Sequence, residues 1–419
     1  MKKQQLLTRF IINQTFHWFI VGIMLPVITL LQLEKGLNLF QIGITMSFYS
    51  ATIVLLELPT GGLSDTLGRK KIYLISLVFN FIAATLLLIA RDFHFINLGF
   101  FLLGVGRALS SGSLDAWFID EFYLLDPEGN LQKALSKVGV FIPIGLATGS
   151  LIGGFIPMNL GKMAHQLWGF GIYSSNLITV LGLSVIQYIV TSRIIIERVK
   201  PEVHTGITAG FKLLPEVLSS SVKYGIKNKI IFILLLATFA MGIGLSGLET
   251  FWQPQVKNIL GSDSQTWVFG ILAAGYFLAG SLGNLLITPF CRFFKNNYLM
   301  VLFVIRLAMG LLFFVLSLQK GIVLFAVFYL SLFLFNGMNN APHAAVLNRN
   351  IPTEKRSTLL SFESLFLQIG CLIGRLVMGY IANSNSISMA WLLGATAILL
   401  SCFAYLILFK KKPNRLSYT

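Results

Sequence analysis

The stretch Glu57-Leu58-Pro59-Thr60-Gly61-Gly62-Leu63-Ser64-Asp65-Thr66-Leu67-Gly68-Arg69-Lys70-Lys71 decides how this chain is read. An apolar run of membrane length ends inside it. A turn carrying Asp65, Gly68 and three cations follows, and a second apolar run starts at Ile72. A bilayer core offers no water to backbone groups, so such runs cross it as helices joined by short polar turns.

Outward from this junction, apolar windows of about 20 residues, the length that spans a bilayer as a helix, recur along the whole sequence. Twelve are readable, at about 10–33, 41–61, 72–90, 96–118, 138–158, 168–191, 230–253, 266–289, 298–318, 321–341, 358–382 and 387–409. With 55% apolar and 11% charged residues, the composition lies outside the range of soluble domains. The first run is too long for a secretory leader and leads directly into further spans, so it reads as an uncleaved helix. The expected fold is an all-α membrane protein.

A formal charge of +16 invites a nucleic-acid reading, which the distribution of charge removes. With the N-terminus placed inside, 24 Lys and Arg fall on inside segments, five outside (Lys35, Arg91, Lys162, Lys257, Lys320) and three within spans. This bias predicts a multi-pass membrane protein with both termini cytoplasmic. The basic tail Lys410-Lys411-Lys412-Pro413-Asn414-Arg415 reads as a stop that meets anionic lipid heads.

Cys291, Cys371 and Cys402 are isolated and at or inside spans, with no metal spacing. No G-x-x-x-x-G-K-[ST] or H-E-x-x-H occurs, and Gly104-Val105-Gly106 continues to Leu109 rather than to glycine. No cofactor, metal site or enzyme chemistry is expected.

The apolar pattern lapses over 192–229, which holds Pro201, Pro215, three consecutive serines and seven cations. It divides the chain into six-span bundles at 1–191 and 230–419, with 211–222 open to reading as an interfacial helix or a loose linker. The halves echo each other. Gly145, Gly149 and Gly154 in span five match Gly370, Gly374 and Gly379 in span eleven at a constant offset of 225, and Ser136 matches Ser361. With Gly153 these are candidate packing positions, since small residues let helices approach closely in lipid.

Ionisable groups inside spans are costly and mark pathways or partners. They are Glu57, Arg107, Asp115, Glu249, Arg306, Glu363 and Arg375, with His17 a weaker member. Glu57, Asp115 and Glu363, with His17, are candidates for proton coupling. Arg107, Asp115, Glu249, Arg306 and Arg375 are candidates for a substrate cavity, the arginines suiting an anionic group. On a continuous helix, Arg107 and Asp115 stand about 12 Å apart along the axis, with Ser111 between them.

The run Gly61-Gly62-Leu63-x-Asp65-x-x-Gly68-Arg69-Lys70-Lys71 between spans two and three resembles the signature loop of the major facilitator superfamily of secondary transporters. Leu103 to Gly112 resembles that family's helix-four motif l-x-x-x-R-x-x-x-G, associated with proton coupling, at Arg107, with Ser111 where its glycine falls; the resemblance makes Arg107 a further candidate for proton coupling. Gly145-x-x-x-Gly149-Ser150-x-x-Gly153-Gly154 resembles its antiporter motif, with Ser150 in place of proline.

The resemblance implies twelve helices in two parallel six-helix repeats with a substrate site between them. It implies a latch made by Asp65 toward helix eleven and by Arg69 toward an acid at the end of helix four, here Asp120. The second half has Gly283-Asn284 leading to Pro289-Phe290-Cys291-Arg292 without an Asp, so the latch is one-sided. The implied function is alternating-access transport of a small molecule by a monomer, with proton-coupled efflux of an amphiphilic compound favoured. Uptake of a metabolite or anion is the first alternative. A transporter-like receptor or lipid-handling protein is the second.

Overall fold

The computed structural model describes residues 3–197, 228–262, 265–351 and 356–410, without the side chains of 58–62, 64–66, 356–358, 360–361 and 409–410. Most of the 192–229 linker, with its 211–222 segment, and the tail from Lys411 lie outside the described residues. So do the side chains of Asp65 and Ser361 and the surroundings of Gly61 and Gly62.

Among the described residues, twelve spans are long and apolar enough to cross a membrane, and no strand occurs. The first span is α1 (Lys3–Met24) and α2 (Ile28–Glu34), the second α3 (Leu39–Leu67), and the third α4 (Arg69–Ile89). The fourth is α5 (Phe93–Ser110) and α6 (Ser113–Leu125). The fifth joins α7 (Leu131–Ile156) through a π-helical turn at Pro157–Gly161 to α8 (Lys162–Trp168), and the sixth is α9 (Ser174–Ile194). Spans seven to twelve are α10 (Lys229–Leu260), α11 (Trp267–Phe293), α12 (Tyr298–Ser317), α13 (Ile322–Asn350), α14 (Arg356–Ser384) and α15 (Ile387–Lys410).

Four features depart from the sequence expectation. The turn between spans two and three shrinks to Gly68, whose φ of 95° suits a residue without Cβ. Asp65 therefore belongs to α3 rather than to a loop. Span four is broken at Ser111–Gly112, with Gly112 at φ 72°. Span one is broken at 25–27, where Pro26 has no N–H to continue the ladder. Span ten was expected to stop near 341, yet α13 carries Pro342 inside it and continues to Asn350.

Helix packing explains the glycine echo. A methyl group added at Gly145, Gly149 or Gly153 would strike the carbonyls of Thr15, Phe19 and Ile23, so α7 lies backbone to backbone on α1. The same substitution at Gly370 and Gly374 would strike the carbonyls of Phe239 and Ile243, which places α14 on α10 in the same way. The fifth-on-first contact thus recurs as eleventh-on-seventh. Gly379 is buried in α14. Outward faces are apolar, with Phe293 80% and Leu285 75% exposed, as contact with lipid tails requires.

Packing separates two compact units: the described residues of Met1–Pro215 with Trp252–Leu278, and those of Glu216–Phe251 with Ala279–Thr419. Within the first, Gln253 donates to the carbonyl of Leu25 at 2.7 Å and Thr266 to that of Gly154 at 2.7 Å. The broken end of α1 is also held from α9, where the Asn176 amide donates to the carbonyls of Ile23 (2.9 Å) and Gly153 (2.8 Å).

Candidate functional site

At the Gly68 end of the first unit, Arg69 Nη1 lies 2.8 Å from Asp120 Oδ2. α4 brings the arginine and α6 the carboxylate, both partly exposed. The N-terminus of α4 has no side-chain cap from its own preceding residue. Glu197, just beyond α9, supplies one: the backbone N–H groups of Arg69 and Lys70 donate to its carboxylate at 2.7 and 3.3 Å. A carboxylate there satisfies orphan donors and meets the positive end of the helix dipole.

The same strand of chain is pinned at three further points. Lys70 donates to the Ser192 carbonyl at 2.7 Å, Trp117 to that of Ile196 at 3.2 Å and Arg9 to that of Ile194 at 3.3 Å. Leu63 is half-buried beside this junction. Glu197 was not among the sequence candidates, because its partners are 127 and 128 positions away.

About three turns back along α3 from Gly68, Ser111 Oγ donates to Glu57 Oε1 at 2.6 Å, linking the fourth span to α3. Ser111 therefore engages Glu57 and does not stand between Arg107 and Asp115 on one helix. The break at Gly112 puts Arg107 on α5 and Asp115 on α6, so the continuous-helix spacing expected for them does not hold. Asp115 is exposed and Arg107 half-buried.

Arg107 instead meets α1, where its guanidinium lies 5.3 Å from the ring centre of Trp18, an arrangement that attracts a cation. His17 packs edge-on to Trp18 and against Tyr73, at centroid distances of 5.6 and 5.7 Å. His17, Trp18 and Arg107 border a cavity of about 260 Å³ lined also by Met24, Met46, Tyr49 and Phe100. Its polar groups are few: Asn80, Ser110, Ser184 and Gln187 join His17 and Arg107. Behind it is an uncharged network in which Asn13 donates to Thr191 at 2.7 Å and Gln187 approaches Asn13, Thr191 and Tyr73 at 3.3–3.5 Å.

The second unit holds a charged cluster. Arg306 is 1% exposed. Its Nε donates to Asn339 Oδ1 at 3.1 Å, its Nη1 to the Ala237 carbonyl at 3.5 Å, and its guanidinium stands 5.9 Å from the Tyr405 ring centre. Glu363 does not stand alone: its Oε1 is 2.6 Å from His343 Nε2. Thr238 lies 3.3 Å from that nitrogen and 3.4 Å from the same carboxylate oxygen, while the Tyr405 hydroxyl is 3.4 Å from His343 Nδ1.

His343 was missed because the tenth span was ended near Pro342. The signal was present, since Asn336, Asn339, Asn340 and His343 recur at helical spacing on an otherwise apolar run. Glu249 on α10 and Arg375 on α14 are half-buried and share the surroundings of Cys371. Among the described residues no group of side chains could hold a metal ion.

The family profile described as Major Facilitator Superfamily matches residues 10–263 and 234–418. The chain is 21% identical over 394 residues to the uncharacterized MFS-type transporter YxaM of Bacillus subtilis (strain 168), covering 94% of each chain. It is 23% identical over 368 residues to the quinolone resistance protein NorA of Staphylococcus aureus (strain MSSA476), covering 86% of this chain and 85% of that one. The fold resembles the crystal structure of the nucleoside transporter NupG, with a TM-score of 0.76 at 16% identity over 97% of this chain and 100% of that one. It also resembles a bacterial homologue of the human lysosomal transporter Spinster, with a TM-score of 0.68 at 13% identity over 96% and 94%. A profile match across both halves, on twelve spans carrying the Asp65–Lys71 motif and repeated helix contacts, makes this multi-pass membrane protein a member of the Major Facilitator Superfamily, a secondary transporter working by alternating access.

Proposed function

We propose that this protein exports a small amphiphilic compound across the bacterial cytoplasmic membrane in exchange for protons, as a monomer with both termini cytoplasmic. The observation that carries the reading is the cavity of about 260 Å³ in the first unit. Its walls are apolar and aromatic, with one cation held against Trp18 and a few hydrogen-bonding groups. Such a lining favours a planar, largely apolar molecule with a small polar or acidic group, and the volume is close to the lower end of ligand sites, about 300 Å³. The direction follows the antiporter-like glycine segment of α7 and the resistance named for the Staphylococcus aureus relative.

Within this reading the six-span halves 1–191 and 230–419 rock about a shared pathway, joined by 192–229. Asp65, Arg69 and Asp120 act as a latch that favours one conformation. Anion uptake through Arg306 has less support, because that guanidinium is taken up by Asn339, the Ala237 carbonyl and Tyr405. Arg107 is the arginine placed to meet an acidic substrate group.

The test is uptake of a radiolabelled quinolone into inverted vesicles under an imposed proton gradient. Gradient-dependent accumulation that Arg107→Ala reduces is the expected result. Accumulation only in right-side-out vesicles would replace export by uptake. Absence of any solute movement across a panel of amphiphiles would favour the receptor or lipid-handling alternative.

A further inference from the structure

His343 and Glu363 stand out because they form a buried acid–base pair far in sequence from the signature loop. We propose that His343, Glu363, Thr238 and Tyr405 form the proton-binding site of the second unit, and that the proton held there is the one exchanged for substrate. The inference rests on the proton-coupled reading above.

The proposed cycle uses two protonation states. With the site empty, His343 Nε2–H donates to Glu363 Oε1 across 2.6 Å. Nδ1 is then an acceptor facing the Tyr405 hydroxyl at 3.4 Å, and the pair carries one negative charge. An arriving proton binds Nδ1, giving an imidazolium beside a carboxylate, a pair of no net charge. Tyr405 rotates its hydroxyl from donor to acceptor, as such a group can. Release reverses the step, and no other atom changes hands. Thr238, within 3.3–3.4 Å of both partners, keeps the carboxylate oxygen in place through the cycle.

Arg306 gives the site its poise. The described titratable and charged groups around the pair are Arg306 from α12 and Cys402 and Tyr405 from α15, with Thr238 the polar group from α10. The Arg306 charge stands 5.9 Å from the Tyr405 ring centre and is fixed by Asn339. It balances the negative charge of the empty pair. Among the described residues of the first unit, His17 is set instead against Trp18 and Tyr73, with Arg107 next to Trp18.

The experiment uses the full chain in proteoliposomes with a quinolone as probe. It reads proton movement coupled to the probe, probe counterflow at equal pH, and the infrared pH titration of the protein without probe. His343→Gln keeps a donor toward Glu363 and an acceptor toward Tyr405, which guards the fold; Glu363→Gln removes the charge. The expected result is a loss of coupled proton movement in both variants by about a hundredfold, the scale of losing a positioned proton-transfer group. Counterflow is retained, and the titration step seen in the wild type disappears.

Wild-type coupling that persists in both variants overturns the assignment and leaves proton-coupled export standing. Loss of counterflow together with coupling also overturns it, since the pair would then be structural. If the wild type moves no protons with the probe, the export reading fails and the infrared arm decides. A step abolished by His343→Gln supports the proton site, and one that persists overturns it.

Discussion

Arg69 and Asp120 are each partly exposed at 21% and 36% of their side-chain surface, so their pairing contributes little to stability, about 0–1 kcal/mol. In the latch proposed above, its worth would lie in which conformation it favours. Arg69→Ala and Asp120→Asn are expected to suppress transport while membrane insertion and melting temperature stay near wild type, as read by vesicle uptake and by thermal unfolding in detergent. Glu197→Gln behaves differently. It keeps a hydrogen-bond acceptor at the start of α4 but removes the charge, so unfolding should be eased by about 0.3–1 kcal/mol, the value of a charge at a helix end. Arg69 and Asp120 could be placed together from sequence because a local motif and a helix end name them. Glu197, His343 and Tyr405 could not, since each acts on partners reached only after the chain has folded across several helices.

Backbone breaks, rather than side chains, set the element-scale behaviour. Gly112 sits at φ 72° with nothing within 4 Å of an added Cβ, so Gly112→Ala tests conformation alone and should cost about 1–2 kcal/mol. Gly112→Asn should recover part of that loss, because asparagine tolerates the left-handed region. Gly149→Leu meets the carbonyl of Phe19 and should destabilise by about 1–3 kcal/mol or more through overpacking, seen as a lower melting temperature and poor yield from membranes. Hydropathy makes the twelve spans and their order legible, because every span must be apolar over the same thickness. The interruptions at 25–27 and 111–112 and the continuation through Pro342 were not legible. Neighbouring helices satisfy the backbone groups that proline frees, as Ser150 does for the Gly22 carbonyl four residues before Pro26, and no local pattern reports that neighbour.

At the scale of the whole molecule, Trp252–Leu278 packs in the first compact unit although it follows the linker in sequence. Its contact with the first span is specific, through Gln253 and the carbonyl of Leu25 at 2.7 Å. Alternating access requires such contacts to break and re-form in each cycle. In a background where Cys291, Cys371 and Cys402 are replaced by alanine, Leu25→Cys combined with Gln253→Cys should be joined by a short cleavable bifunctional thiol reagent. Quinolone uptake should then fall to background and return when the reagent is cleaved. Uptake that continues through the crosslinked state would show that this contact does not take part in the cycle.

The glycine contacts of α7 on α1 and of α14 on α10 have a mechanical meaning. Where two helices touch through side chains, rotamer changes give the joint some slack, and one helix can slide or roll a little on the other. Here carbonyl oxygens seat directly against α-carbons, and peptide planes have no such freedom. Each doublet is therefore stiff, closer to a lever arm than to a pair of rollers. A displacement at one end of α1 or α10 is therefore expected to carry along its partner helix, with less of it absorbed along the way.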